Sequence, residues 1–303
     1  HPDGEQHQKE TLAFMQYSLQ EDFDISINIH GGAEVCNYPW DTWRENQKQH
    51  PDTEWFISLC QEFISIVRNA GGNNYFSDVT YSGITNGGDW YRIYGSRQDW
   101  QNWYTKAREL TLEVSTTKTP SSNLLPHYWN KLKDGLISFI INSQIGVEGV
   151  IKDITNGGKI ENATIEILEI DYDSLFTHSN NQGYYFRALL PGNYQMKVSA
   201  QGYNDTIITL NIEDNSTLLQ DIYLQPTSTS LLSCKDSIED VIIFPNPCKE
   251  KLFLRNNNFF AYNIFSFQRK ILIKHEEKNI NSIDVSELPS GVYFLELYSD
   301  KKT

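Results

Sequence analysis

Stretches with the helical period occur only before Gln144; from Val147 to the last residue, Thr303, apolar residues instead alternate with polar ones. A period of 3.6 buries one stripe of a helix, and a period of 2 buries one face of a sheet. The first part of the chain therefore predicts mixed helix and strand, and the rest predicts β-structure alone.

Within residues 1–144, the stretch 10–19 places Leu12, Met15 and Leu19 on one helical face, and Ile25-Ser-Ile-Asn-Ile29 then alternates as a strand. A second helix is predicted over 52–69 and a strand over 108–114. A further helix over 121–143 carries Trp129, Leu132, Leu136 and Ile140 on one face. This is an α/β unit. Residues 145–225 alternate at 163–170 and 194–198, with turn signals at Asn156-Gly-Gly158, Asn180-Asn-Gln-Gly183 and Pro191-Gly-Asn193. That spacing predicts an antiparallel β-sandwich of about seven strands. A polar stretch, 226–240, reads as a linker, and short strands at 241–247, 251–254 and 291–297 make residues 241–303 a second all-β sandwich.

The net charge of -14, with no long Lys/Arg run, argues against nucleic acid or an anionic membrane as a partner. No apolar stretch approaches the length of a membrane-spanning helix. The aromatic content of 13% suits sandwich strands in an extracellular protein. Cys36, Cys60, Cys234 and Cys248 show no CxxC spacing, so no zinc knuckle or thioredoxin-type motif is present, and their pairing stays open.

Chemistry concentrates in three segments. The first, Asn28-Ile-His-Gly-Gly-Ala-Glu-Val-Cys-Asn-Tyr-Pro-Trp-Asp41, puts His30 just past an apolar strand, where an imidazole can face a cleft. The second runs through Gly83-Ile-Thr-Asn-Gly-Gly-Asp-Trp-Tyr91 to Gly95-Ser-Arg-Gln-Asp-Trp100. The third is Glu109-Leu-Thr-Leu-Glu-Val114, in which Leu110 and Leu112 alternate with the carboxylate of Glu113. A Glu facing a buried cleft needs a reason. Read without any relative, Tyr91 is a packing residue and Asp41 a loop aspartate capping the next turn.

Together these motifs resemble the latter half of the catalytic domain of zinc metallocarboxypeptidases of the carboxypeptidase D/E/N branch. The resemblance covers residues 1–144, and implies part of an α/β/α domain. It makes His30 the second histidine of a zinc site of the His2Glu type, and Glu113 the general base on the activated water. Tyr91 becomes the tyrosine that closes over the substrate. Asp41, with Gln98 and Asp99, belongs to a substrate pocket whose buried carboxylate selects C-terminal Lys or Arg.

The family's first zinc motif, His-x-x-Glu, and its Asn-Arg carboxylate clamp lie well before the second histidine, whereas 29 residues precede His30 here. His7-Gln-Lys-Glu10 has the His-x-x-Glu form but aligns with a helix, not with the metal loop. The reading is a fragment carrying one Zn2+ ligand, with the other two expected upstream. The start at His1, with neither Met nor signal peptide, points the same way. Ser96, where most relatives carry a second Gly, and Arg97 beside it depart from the family and put the shape of the pocket wall in question.

Residues 145–225, with Gly183-Tyr-Tyr-Phe-Arg-Ala-Leu-Leu-Pro-Gly-Asn-Tyr194, resemble the transthyretin-like domain of the same branch. The sandwich domains from Val147 onward are expected to bury their own cores, to need nothing from the missing half of the catalytic domain and to fold when expressed separately. Phe244-Pro-Asn-Pro247 and Leu288-Pro-Ser-Gly-Val-Tyr-Phe294 resemble the sorting domain of the bacterial type IX secretion system, with the usual basic tail reduced to Lys301-Lys-Thr303. That implies the secretion machinery as a partner and a secreted or cell-surface location. The function implied is removal of C-terminal residues from peptides; the alternative is a non-catalytic surface protein built from β-sandwich modules.

Overall fold

The computed structural model describes residues 7–21, 23–227, 242–255, 259–266, 271–276 and 280–299. The linker expected at 226–240 lies outside these from residue 228 on, as do Cys234 and the tail 301–303. The chain divides into two compact units, His1–Thr227 and Ser228–Thr303.

The first unit opens with α1 (Lys9–Glu21), β1 (Ile25–His30), β2 (Ala33–Tyr38), α2 (Thr53–Gly71) and β3 (Ile84–Asn86). It continues through the one-turn helices α3 (Gly87–Trp90) and α4 (Arg97–Trp100), then β4 (Arg108–Ser115) and α5 (Leu125–Asn142). The four strands form a mixed sheet in the order β1-β4-β2-β3. β4 runs parallel to β1 and antiparallel to β2, so it sits in the interior of the sheet. Burial on both faces follows, and seven of its eight residues are buried. α2 and α5 pack together over one face, where Phe56, Leu59, Phe63 and Val67 meet Leu110, Leu112, Leu132 and Phe139 in one core.

Two helices are rotated from the faces their sequences suggest. In α1 the inward residue is Ser18, with Phe14 and Met15 half-buried, while Leu12 and Leu19 face solvent. In α5 Leu132, Gly135 and Phe139 are buried and Trp129 and Ile140 are exposed. Both helices carry apolar residues on more than one face, so spacing alone admits two orientations.

The sandwich comprises β5 (Gly146–Asp153), β6 (Thr164–Ile167), β7 (Thr177–His178), β8 (Tyr184–Ala188), β9 (Gly192–Ser199), β10 (Thr206–Ile212), β11 (Thr217–Leu219) and β12 (Ile222–Leu224). One sheet runs β10-β9-β6-β7; the other runs β11-β5-β12, with β8 paired to β5. Alternation fills the space between them with Val147, Ile151, Ile165, Ile167, Met196, Val198, Leu210 and Leu224.

The second unit holds β13 (Ile242–Phe244), β14 (Lys251–Arg255), β15 (Phe259–Phe265), β16 (Ile271–Glu276), β17 (Ser282–Asp284) and β18 (Phe294–Ser299). Two three-stranded sheets, β13-β14-β17 and β16-β15-β18, enclose Leu254, Phe259, Ile264, Ile280 and Ile283.

Candidate active site

Parallel pairing of β1 with β4 sets His30 opposite Glu113. His30 Nδ1 lies 3.8 Å from Glu113 Oε1, and Asn28 Nδ2 donates to His30 Nε2 at 2.9 Å. The imidazole is half exposed at the strand end, whereas Glu113 is buried and its Oε2 has no hydrogen-bond partner. Burial pushes the Glu113 carboxyl above its ordinary range, partly offset by His30 and Lys118. The strand is free to end at His30 because the next residues turn: Gly32 has φ +132°, which few side chains tolerate, and its amide donates to Ser115 O at 2.7 Å.

The β2 end carries the residues of the candidate pocket. Asp41 is 3% exposed, and its Oδ1 accepts from Asn37 Nδ2 and from Gln98 Nε2, each at 3.1 Å. Its amide and that of Thr42 donate to the two oxygens of Asp99, at 2.8 and 2.9 Å. Burial, and then the charge of Asp99, raises Asp41 to about 6. The amide oxygens Asn37 Oδ1 and Gln98 Oε1 are buried without donors. Beside the donors that already reach Asp41, these two acceptors are left without partners.

The first turn of α3 closes over this pocket, and only glycine fits there. A Cβ at Gly87 would stand 1.9 Å from Asp41 Oδ1 and 2.8 Å from Asn37 Oδ1. Tyr91 follows α3, half exposed, with its ring 4.6 Å from that of Trp90. Burial and then the charges of Glu113 and Asp41 hold its phenol above the ordinary value, so Tyr91 lies within electrostatic reach of both carboxylates.

The departures at 96 and 97 have local accounts. Ser96 caps α4, its Oγ accepting from the Asp99 amide at 3.1 Å. Arg97 Nη2 meets the fully buried Glu109 at 2.8 Å, and Ser26 Oγ donates to the same carboxylate oxygen at 2.6 Å. Asn37, Gly87 and Glu109 were present in the motifs, but spacing gave no sign of their part in the pocket. Asn102, whose amide joins Gln98 O to Glu109 O at 2.9 and 2.8 Å, lay beyond them.

A zinc site of the expected type needs three protein donors. Among the described residues no group of three His, Cys, Asp or Glu side chains could hold a metal ion. His30 supplies one imidazole, and Glu10 lies in the first turn of α1, so these residues by themselves do not fit a bound zinc.

Residues 1–135 match the zinc carboxypeptidase family profile, residues 146–225 that of the carboxypeptidase regulatory-like domain, and residues 242–303 that of the secretion system C-terminal sorting domain. Carboxypeptidase D of Mus musculus is 34% identical over 219 residues, covering 70% of this chain and 16% of that protein. The carboxypeptidase N catalytic chain of Rattus norvegicus is 32% identical, over 75% of this chain and 50% of that one. Carboxypeptidase M of Mus musculus is 32% identical, over 74% and 54%. The chain thus spans about half the length of the latter two relatives and a smaller part of the first. No described helix is long and apolar enough to cross a membrane. Residues 1–135 belong to the zinc carboxypeptidase family, and the chain continues through a carboxypeptidase regulatory-like domain into a secretion system C-terminal sorting domain.

Proposed function

We propose that this chain carries the base and the side-chain pocket of an exported metallocarboxypeptidase that removes C-terminal Lys or Arg from peptides. The observation that carries the reading is the pairing of a buried, under-bonded Glu113 carboxylate with His30 at one strand end, near the candidate pocket of Asp41. Zinc, if His30 and two further donors held it, would supply Lewis-acid polarisation. In this reading His30 provides one donor and the other two lie outside the described residues.

Glu113 takes the proton of the attacking water and returns it to the leaving amine. Its raised proton affinity suits both transfers, since a base that holds its proton too weakly cannot accept it. Tyr91 closes over the scissile end of the peptide. Asp41 receives the cation of the C-terminal side chain, with Asn37 Oδ1 and Gln98 Oε1 as further acceptors and Asp99 holding the loop. The sorting domain would deliver the enzyme to the secretion machinery and so to the cell surface.

A second reading is a non-catalytic surface protein built from β-sandwich modules. Hydrolysis by the full-length gene product separates the two. C-terminal Arg release that is lost on chelation, and lost in Glu113→Gln with metal content unchanged, supports the enzyme. A preference for C-terminal Phe would remove Asp41 from the pocket. Calorimetric titration of residues 1–303 with zinc tests the ligand count; tight stoichiometric binding would make His7 and Glu10 ligands after all.

A further inference from the structure

The segment that follows the pocket, 48–52, is tied to the sandwich at successive points. Lys48 Nζ pairs with Asp173 Oδ2 at 2.9 Å, and Tyr172 Oη donates to Gln49 O at 2.8 Å. Arg187 Nη2 meets Asp52 Oδ1 at 2.7 Å. Arg187, on β8, is completely buried, and the same nitrogen meets Asp171 Oδ1 at 2.5 Å while Nη1 donates to Ala188 O at 2.7 Å. Asp52 is buried too, and its other oxygen takes Arg108 Nε of β4 at 2.8 Å. A guanidinium is planar and its donors point in fixed directions, so two carboxylates sharing it are held in register with each other.

From that junction the contacts lead to the pocket. His50 Nδ1 accepts from the Asp52 amide at 3.0 Å, and its ring centroid lies 5.0 Å from that of Trp40. Trp40 is fully buried and precedes Asp41; its carbonyl takes the Gly88 amide at 2.8 Å, beside the turn that closes over the carboxylate. Lys48 also lies over the rings of Trp43 and Trp103, at 4.9 and 4.6 Å.

We propose that the sandwich is a positioning element for the substrate pocket. Arg187 and the Asp171-Tyr172-Asp173 turn fix the 48–52 segment, and through His50 and Trp40 they set the place of Asp41. Arg187 touches no substrate and acts through Asp52. The inference rests on the reading of Asp41 as a pocket residue, but its test needs no substrate.

Amide hydrogen exchange on residues 1–303 decides it. In Arg187→Met, the amides of Asp41, Thr42 and Gly88 should exchange about 10-fold faster or more, while those of Met196, Val198 and Leu112 keep their protection. Arg187→Lys, which retains the charge, should recover most of that protection. Should Arg187→Met fail to fold, Tyr172→Phe combined with Asp173→Asn removes two of the ties without burying a lone charge. Faster exchange at Asp41 and Thr42 in that variant supports the proposal. Unchanged exchange there in a folded variant, or a rise spread evenly over the unit, overturns it. Because exchange is read in the absence of peptide, a wrong assignment of side-chain specificity would leave this result standing and would show only in hydrolysis.

Discussion

His30 and Glu113 occupy paired positions on adjacent parallel strands, with Nδ1 and Oε1 3.8 Å apart, one group half exposed and the other buried. The imidazole is therefore among the charges that moderate the cost of burying the carboxylate, after desolvation itself. Carbon-detected NMR of the Glu113 carboxyl should show it titrating above an ordinary glutamate. In His30→Ala it should move higher still. A downward move would mean that the imidazole does not act on this carboxylate.

Asp41 is raised from 3.8 to about 6, so over that interval the folded state holds a proton that the unfolded chain has lost. The stability linked to it is complete below pH 3.8 and disappears as pH rises through about 6. At 3% exposure little of the effect is screened, and it amounts to about 2–3 kcal/mol. Asp41→Asn should be more stable than the parent at pH 8, with the difference closing towards pH 4. Urea unfolding at both pH values measures it.

His50 behaves in the opposite sense. Burial lowers it from 6.5 to about 3, so between those values the unfolded chain takes up a proton that the folded chain does not. Its contribution is complete above pH 6.5 and is lost as pH falls through about 3. Asp52, held well below the ordinary range by Arg108 and Arg187 against the cost of burial, adds to the same acid sensitivity. His50→Asn, which keeps an acceptor for the Asp52 amide, should flatten the fall in stability between pH 7 and 4. An unchanged slope would assign the acid sensitivity to other groups.

Gly87→Ala should damage the pocket more than the fold. The added carbon must displace the Asp41 carboxyl, which lies 1.9 Å from it, and overpacking of this kind costs about 1–3 kcal/mol. Thermal unfolding gives the cost, and the Asp41 carboxyl should titrate nearer the ordinary range once displaced. A variant with both unchanged would mean that the turn moves aside instead.

Much of this was legible in the chain itself. Alternation placed β1, β4, β6 and much of β9, because apolar residues recur at every second position there. Helix orientation was less legible: α1 turns Ser18 inward and leaves Leu12 and Leu19 out, an outcome set by what packs on it and not by its own spacing. The pocket motifs named Asp41, Gln98 and Asp99, yet nothing in their spacing showed that Asp99 holds the loop through amides while Gln98 touches the carboxylate. Least visible was Arg187. An arginine in a strand of alternating residues reads as an outward charge, and its burial is accounted for by two carboxylates, Asp171 in the preceding turn and Asp52 more than a hundred residues away.

The ion pair between Arg187 and Asp52 also bears on how such proteins can be recombined. Secondary structure changes character at residue 145, and a designer looking for a place to exchange modules would cut there. A foreign sandwich joined at that point would leave Asp52 and Arg108 facing a surface without the matching guanidinium, tyrosine and aspartate. The α/β segment and its sandwich are therefore expected to travel through evolution as one inherited piece, while the sorting domain, which forms a separate unit, is the part free to be exchanged.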